Sequence, residues 1–182
     1  MLVGKKVILR PFRAGDLEGL HDLTADVRKA GEFWPLGMAS EQKMLEQFEE
    51  NGWWTDDCGR LLITDRAGRR LGMIIYYQAS HSYQGLELGY RIFQPADRGK
   101  GLMGEAIPLV VAYLFATRHV ERIQLVIESE NDASCKLAET CGFTREGMLR
   151  RAHYNWGTFH DLAVYAVLRP EATPLTELLA PL

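Results

Sequence analysis

The segment Asp97-Arg98-Gly99-Lys100-Gly101-Leu102-Met103-Gly104-Glu105-Ala106 decides how the rest of this 182-residue sequence is read. It follows a strand-like run closed by Pro95 and opens a run with apolar residues at helical spacing. Three glycines let the backbone turn tightly and let a ligand approach the main chain closely. The first-turn amides of a helix have no intrahelical partner, and the helix dipole adds positive potential there. Arg98 and Lys100 add formal charge. Together these features read as a cradle for a pyrophosphate. It is not a Walker loop, because no Gly-Lys-Ser/Thr follows at the required spacing. Gly99, Gly101 and Gly104 do satisfy Gly-x-Gly-x-x-Gly. The dinucleotide fingerprint, however, directly follows the first strand of a βαβ unit, and this strand is a late one preceded by a hairpin meander. A plain strand-to-helix turn carrying surface charges is the remaining alternative.

Working outward from this segment, residues 86–94 read as the preceding strand and 102–118 as the following helix. Leu102, Ala106, Leu109, Val110, Tyr113 and Leu114 make one broad apolar stripe on that helix. Pro108 interrupts it. Its ring meets the carbonyl of Gly104, which places the expected distortion near the helix start. Upstream, 6–12 reads as a first strand. Asp16 opens a helix with Leu17, Leu20, Leu23 and Val27, ending before Gly31. Residues 32–39 read as a loop, and Ser40 caps a second helix carrying Met44, Leu45 and Phe48. Trp53 and Trp54 are expected to cover the core beside it. Strands over 59–64 and 71–79 flank the turn Asp65-Arg66-Ala67-Gly68. Downstream, 122–127 is a near-continuous apolar strand. Asn131 caps a helix running to Cys141, and Gly142 stops it. Strands at about 143–151 and 158–168 flank a loop holding residues 153–157, and a short tail begins near 170. The expectation is one α+β domain over 1–182, with about seven strands and four helices.

Composition narrows the chemistry. Apolar residues make up 47% and charged residues 25%, which argues against disorder. A net charge of −3 gives no electrostatic footprint for nucleic acid. Cys58, Cys135 and Cys141 form neither a disulfide framework nor a zinc spacing, so no metal is expected and the thiols read as reduced. The longest apolar stretch, 106–116, is too short to span a bilayer, and residues 5–11 lack a signal-peptide core. These features give a cytoplasmic reading, with no membrane partner.

Residues 97–106 resemble the acyl-CoA pyrophosphate loop of the GNAT acetyltransferases, Arg/Gln-x-x-Gly-x-Gly/Ala. Arg98 and Gly101 match it, and Met103 departs from it. Asn131-Asp-Ala-Ser134 with Leu137 and Gly142-Phe143 resembles the family's second CoA-side element. Glu146-Gly147, Arg150, Gly157, Asp161 and Tyr165 resemble the C-terminal strands of the Rim-type branch, which acetylates ribosomal-protein N-termini. Leu9-Arg10-Pro11 with Asp16 is similar to that branch's start.

The resemblance implies a GNAT fold, a mostly antiparallel sheet splayed at the cofactor site. It implies acetyl-CoA as co-substrate and direct transfer to a primary amine. That amine is a protein N-terminal α-amine or, alternatively, a small molecule; a non-catalytic acyl-CoA-binding module is a further alternative. A homodimer is compatible with it. Cofactor contacts fall to Ile92, Phe93, Arg98, Gly99, Lys100, Gly101, Leu102, Met103, Gly104, Asn131 and Ser134, with a main-chain amide at Arg91-Ile92 holding the thioester carbonyl. Glu87 is the implied base, with His153 its first rival, ahead of His81 and His160. The family's usual tyrosine acid would stand at Ala138, so the acid role falls to Ser134. Trp34, His153, Tyr154 and Trp156 border the acceptor channel in this reading, where aromatic rings can form an amine pocket by cation–π contact or simply close the end of the core. Glu105 is explained by the helix dipole and capping or, alternatively, by ordering the loop, and Asp161 by pairing with Arg150 or Arg151.

Overall fold

The computed structural model describes residues 1–38 and 40–181. Eight strands form one sheet: β1 (Leu2–Val3), β2 (Ile8–Pro11), β3 (Cys58–Thr64), β4 (Arg70–Gln78), β5 (Leu86–Ile92), β6 (Arg122–Glu128), β7 (Thr144–Asn155) and β8 (Thr158–Leu168). Their order is β1-β2-β3-β4-β5-β6-β8-β7. Every pairing is antiparallel except β5 with β6. That parallel pair has only two rungs, Leu86↔Ile123 and Glu87↔Gln124, after which the strands part. The helices are α1 (Leu20–Ala25), α2 (Val27–Ala30), α3 (Glu41–Asn51), α4 (Leu102–Thr117), α5 (Asp132–Thr140) and α6 (Leu175–Leu178). This is the expected α+β class.

The alternating apolar residues of β5 and β6 set the two faces of the sheet. Leu86, Leu88, Ile123, Leu125 and Ile127 pack in one cluster with Ala106, Ile107, Val110 and Leu114 of α4. Burying one such side chain fully stabilises by about 1.5–3 kcal/mol. By strand alternation, Glu87, Arg91, Gln124 and Glu128 lie on the opposite face. A smaller cluster there joins Phe12, Leu17, Leu20, Trp53, Leu62 and Phe93 to Met44, Leu45 and Phe48 of α3. Trp53 thus packs in the core beside α3, while Trp54 packs on the main cluster.

Four features differ from the sequence reading. The first helix starts at Leu20 behind left-handed Gly19 rather than at Asp16, which closes a 3-10 turn, and it breaks at Asp26, which turns extended (ψ 105°) and accepts the amide of Arg28 to cap α2. A first strand of two residues, Leu2–Val3, was too short to carry a pattern. The tail from 170 is docked: Leu175 and Leu178 of α6 pack on the main cluster, and the Ala180 amide donates to Val3 O at 2.8 Å. Strand β7 continues to Asn155, so the expected loop 153–157 shrinks to a turn in which Trp156 (φ 49°) and Gly157 (φ 81°) are left-handed. The extension is possible because Asp161 Oδ1 accepts the Arg151 amide at 2.7 Å across the bulge between the Leu149↔Leu162 and His153↔His160 rungs. The expected loop 32–39 includes Ala39, which lies outside the described residues, as does Leu182.

Ser40 caps α3 as read, accepting the Lys43 amide. Pro108 stays within α4. Proline leaves the Gly104 carbonyl without its usual helical donor, and Cys141 Sγ approaches that carbonyl at 3.9 Å.

Candidate active site

The splay between β5 and β6 opens into a cavity of about 610 Å³. Two helix N-termini converge on it. Leu102, Met103 and Gly104 of α4 line one wall, and Ala133, Ser134 and Leu137 of α5 line another. First-turn amides of both helices lack intrahelical partners. Gly99 and Gly101 both have φ near +73°, a region that side-chain-bearing residues avoid. At Gly99 a Cβ would meet nothing within 4 Å, so conformation rather than space calls for glycine there.

The loop is braced by charges that the chain supplies itself. Asp97, 5% exposed, accepts from Arg69 Nη1 at 2.7 Å and Nη2 at 3.2 Å, and from Lys100 Nζ at 2.9 Å. Arg69 first, then Lys100, holds its carboxyl down at about 2. Arg98 Nη2 donates to Lys29 O at 2.7 Å, tying the loop to α2. Both oxygens of Glu105 accept the Lys6 amide, and Lys6 Nζ donates to Lys100 O at 3.4 Å. The turn between β1 and β2 is thereby docked on the start of α4. Glu105 thus orders this part of the structure as well as complementing the dipole.

Of the residues expected to hold a cofactor, Ile92, Arg98, Gly99, Lys100, Gly101, Leu102, Met103, Gly104, Asn131 and Ser134 line one groove. Phe93 does not. Its side chain is fully buried in the second cluster, and its amide donates to Leu71 O. Asn131 caps α5, accepting the Ser134 amide on Oδ1 at 3.1 Å. Tyr90 also lines the groove beside Ser134. Burial pushes its phenol up to about 12, with Ser134 working the other way. The sequence reading passed over Tyr90 because alternation alone marks it as core.

Glu87 stands at the last rung before the strands part, off the groove lining. Its Oε1 accepts from Tyr77 Oη at 2.6 Å and its Oε2 from Gln124 Nε2 at 2.8 Å. Burial, then Glu87, raises the Tyr77 phenol well above its usual range. His153 lies on β7, not in a loop, and, like Glu87, does not line the groove. Its Nδ1 is 3.0 Å from Oε1 of Glu128, which is only 6% exposed. His160 Nδ1 is 3.6 Å from Glu128 Oε2. His81 lies in the turn between β4 and β5 and does not line the groove. Asn155, 3% exposed, donates to Glu128 Oε1 at 3.0 Å and to Glu32 O at 3.2 Å, and accepts the Leu36 amide at 2.9 Å. It pins the 32–36 loop to the sheet. Trp34 lines the groove through that loop, with its ring 5.1 Å from the Arg91 guanidinium. Tyr154 and Trp156 are 61% and 48% exposed and lie off the groove. A strand side chain and a tight-turn residue are both directed away from it.

Glu128, Asn155 and the Arg91 side chain are the functional candidates that sequence reasoning missed. One signal was available for Glu128. A carboxylate at the end of a strand buried on both faces has to be met by donors.

Residues 6–144 match the family model for the acetyltransferase (GNAT) domain. The probable N-acetyltransferase YjcK of Bacillus subtilis is 27% identical over 179 residues, 94% of this chain and 98% of that one. The ribosomal protein uS5-alanine N-acetyltransferase of Escherichia coli is 33% identical over 93 residues, 51% of this chain and 47% of that relative. Among solved structures, spermidine N-acetyltransferase from Vibrio cholerae, in complex with CoA and spermine, superposes with a TM-score of 0.80. That match covers 91% of this chain and 97% of that one at 22% identity, a likeness of fold.

Proposed function

The chain belongs to the GNAT acetyltransferase family and is an N-acetyltransferase that uses acetyl-CoA; on that footing we propose direct acetyl transfer, within a ternary complex, to the primary amine of a small molecule. One observation carries the reading. Two helix N-termini and a glycine loop converge on a single groove at the point where β5 and β6 part. Acetyl-CoA supplies the activated acetyl thioester. The amides of residues 99–104 hold its diphosphate, with Arg98 and Lys100 behind them. Asn131 and Ile92 border its pantetheine arm, and a main-chain amide at Arg91-Ile92 steadies the thioester carbonyl. Ser134 offers its hydroxyl to the departing sulfur.

For the base, Glu87 is the group the resemblance names, but both of its oxygens already accept hydrogen bonds. His153 is the better proton acceptor. A carboxylate only accepts, so the contact with Glu128 fixes the proton on Nδ1 and leaves Nε2 to take one from the amine. Glu128 orients the ring in the manner of the carboxylate in a catalytic triad.

The relative that acetylates the uS5 alanine favours a second reading, a protein α-amine. Release of free thiol from acetyl-CoA, followed across a panel of small amines and short peptides, separates the two. The first reading predicts turnover on small amines at least tenfold above any peptide. Turnover on peptides alone would replace it with the second. His153→Ala should lower turnover about 10²-fold and Glu87→Gln only a few-fold, the spread expected between a general base and a supporting carboxylate.

A further inference from the structure

Arg91 is a cation of the site with no acidic partner among the described residues. Its side chain is 6% exposed, and Nη1 donates to a single main-chain acceptor, Thr24 O, at 3.2 Å. Nε and Nη2 are buried with no hydrogen-bond partner among the described residues. These two nitrogens form one edge of the guanidinium plane, the edge that receives the two oxygens of a carboxylate side-on. Elsewhere the same edge is filled from within by Arg28, whose Nε and Nη2 take the two oxygens of Asp26, while Arg10, Arg69 and Arg122 grip Asp16, Asp97 and Glu146 end-on through Nη1 and Nη2. Arg122 Nε is also buried without a partner among the described residues, but the carboxylate of Glu146 neutralises its guanidinium. No acidic side chain of the described residues lies within ion-pair reach of Arg91.

Position says which ligand the edge serves. Arg91 lines the groove, but by strand alternation its side chain is on the face away from α4, under Trp34 and the end of α1. The diphosphate cradle lies at the α4 N-terminus. Across the splay, on the same sheet face, Glu128 is linked back to Trp34 through Asn155 Nδ2, which donates to Glu128 Oε1 at 3.0 Å and Trp34 O at 3.4 Å. The sheet face under Trp34 therefore carries the Arg91 cation on β5 and, behind the groove lining, the buried Glu128 carboxylate at the end of β6 with His153 of β7, while Glu32 lines the groove beside Trp34. That arrangement complements a molecule carrying one negative and one positive group, and opposes a polycation.

We propose that Arg91 is the specificity-determining residue of the acceptor site, and that it selects small amines bearing a carboxylate close to the reacting nitrogen, as amino acids do. This rests on the transfer reading above, so the test includes a measurement that needs no turnover. The probes are the common amino acids and the carboxamide of each. They are assayed for acetylation by the wild-type chain, Arg91→Gln and Arg91→Lys, and for calorimetric binding with CoA present. The wild-type chain should acetylate and bind its best amino acid at least about 30-fold better than the matching carboxamide. Arg91→Gln should erase that ratio while leaving the KM for acetyl-CoA within about threefold. Arg91→Lys, which keeps the charge but loses the fork, should recover only part of the ratio. If Arg91→Gln does not fold, the wild-type ratio and Arg91→Lys decide. A carboxylate preference in binding without turnover would uphold this inference and remove the transfer reading. Equal handling of acid and carboxamide would overturn the inference, as would polyamines outcompeting amino acids. A change in Arg91→Gln confined to acetyl-CoA affinity would also overturn it, by assigning Arg91 to the cofactor's phosphates.

Discussion

At the cofactor end of the groove the formal charges are bound up within the chain; at the acceptor end one of them is left open. Around the glycine loop, Arg69 and Lys100 both sit on Asp97, and Arg98 is tied to Lys29 O. The main-chain amides of residues 99–104 remain as the anion-binding surface. At the acceptor end Arg91 has an open fork, while Glu128 is met by His153 and Asn155. A loop built from amides suits a ligand whose diphosphate never changes. A side-chain cluster suits the ligand on which relatives within a family differ. The two ends should therefore respond separately to substitution.

Glu128→Gln should give the largest effect at the acceptor end. It removes the charge that orients His153 and leaves a buried amide among donors. Turnover should fall about 10²-fold, with affinity for CoA by calorimetry unchanged. A shared loss would show that the two ends are not independent. Ser134→Ala, at the junction of the ends, should cost roughly tenfold in turnover, the worth of one hydrogen bond to a developing charge. Its CoA affinity should also hold, since the Asn131 cap uses the main-chain amide of residue 134 rather than the hydroxyl.

Asp97→Asn should give the smallest effect, on stability alone. The folded pKa of Asp97, about 2, lies below the ordinary value of 3.8. Its carboxylate thus contributes stability that is complete above about pH 4 and disappears as pH falls through about 2. Relative to wild type, the variant should melt a few degrees lower at pH 7, and most of the gap should be gone at pH 2. A gap as large at pH 2 as at pH 7 would mean that the loop is not braced by this charge.

The same contrast explains what could be read in the sequence. The cofactor end is local. Residues 97–106 and 131–137 each carry their signal within a few positions, because glycine conformation and helix starts are set by neighbours along the chain. The strand run of β5 and the apolar run of β6 were likewise legible, and with them the order of the elements along the chain. The acceptor end draws on Arg91, Trp34, Glu128, His153 and Asn155, which come from four separated segments. No local pattern marks such a cluster. Tyr154 and Trp156 show the converse: their aromatic character suggested a pocket, but the bulge at Arg151 extended β7 and the left-handed turn faced them to solvent. Phe93 was misplaced because the resemblance supplies a segment, whereas strand alternation decides which of its residues reach the groove.

The most direct test is a pair of calorimetric titrations, acetyl-CoA against S-acetylpantetheine, on the wild-type chain and Gly101→Val. Amides at the head of α4 that grip a diphosphate require acetyl-CoA to bind at least about 100-fold more tightly than the fragment lacking it, and a β-branched residue at φ +73° to abolish most of that advantage. Equal binding of the two molecules by the wild-type chain, or an advantage undiminished in Gly101→Val, would contradict the account at its base.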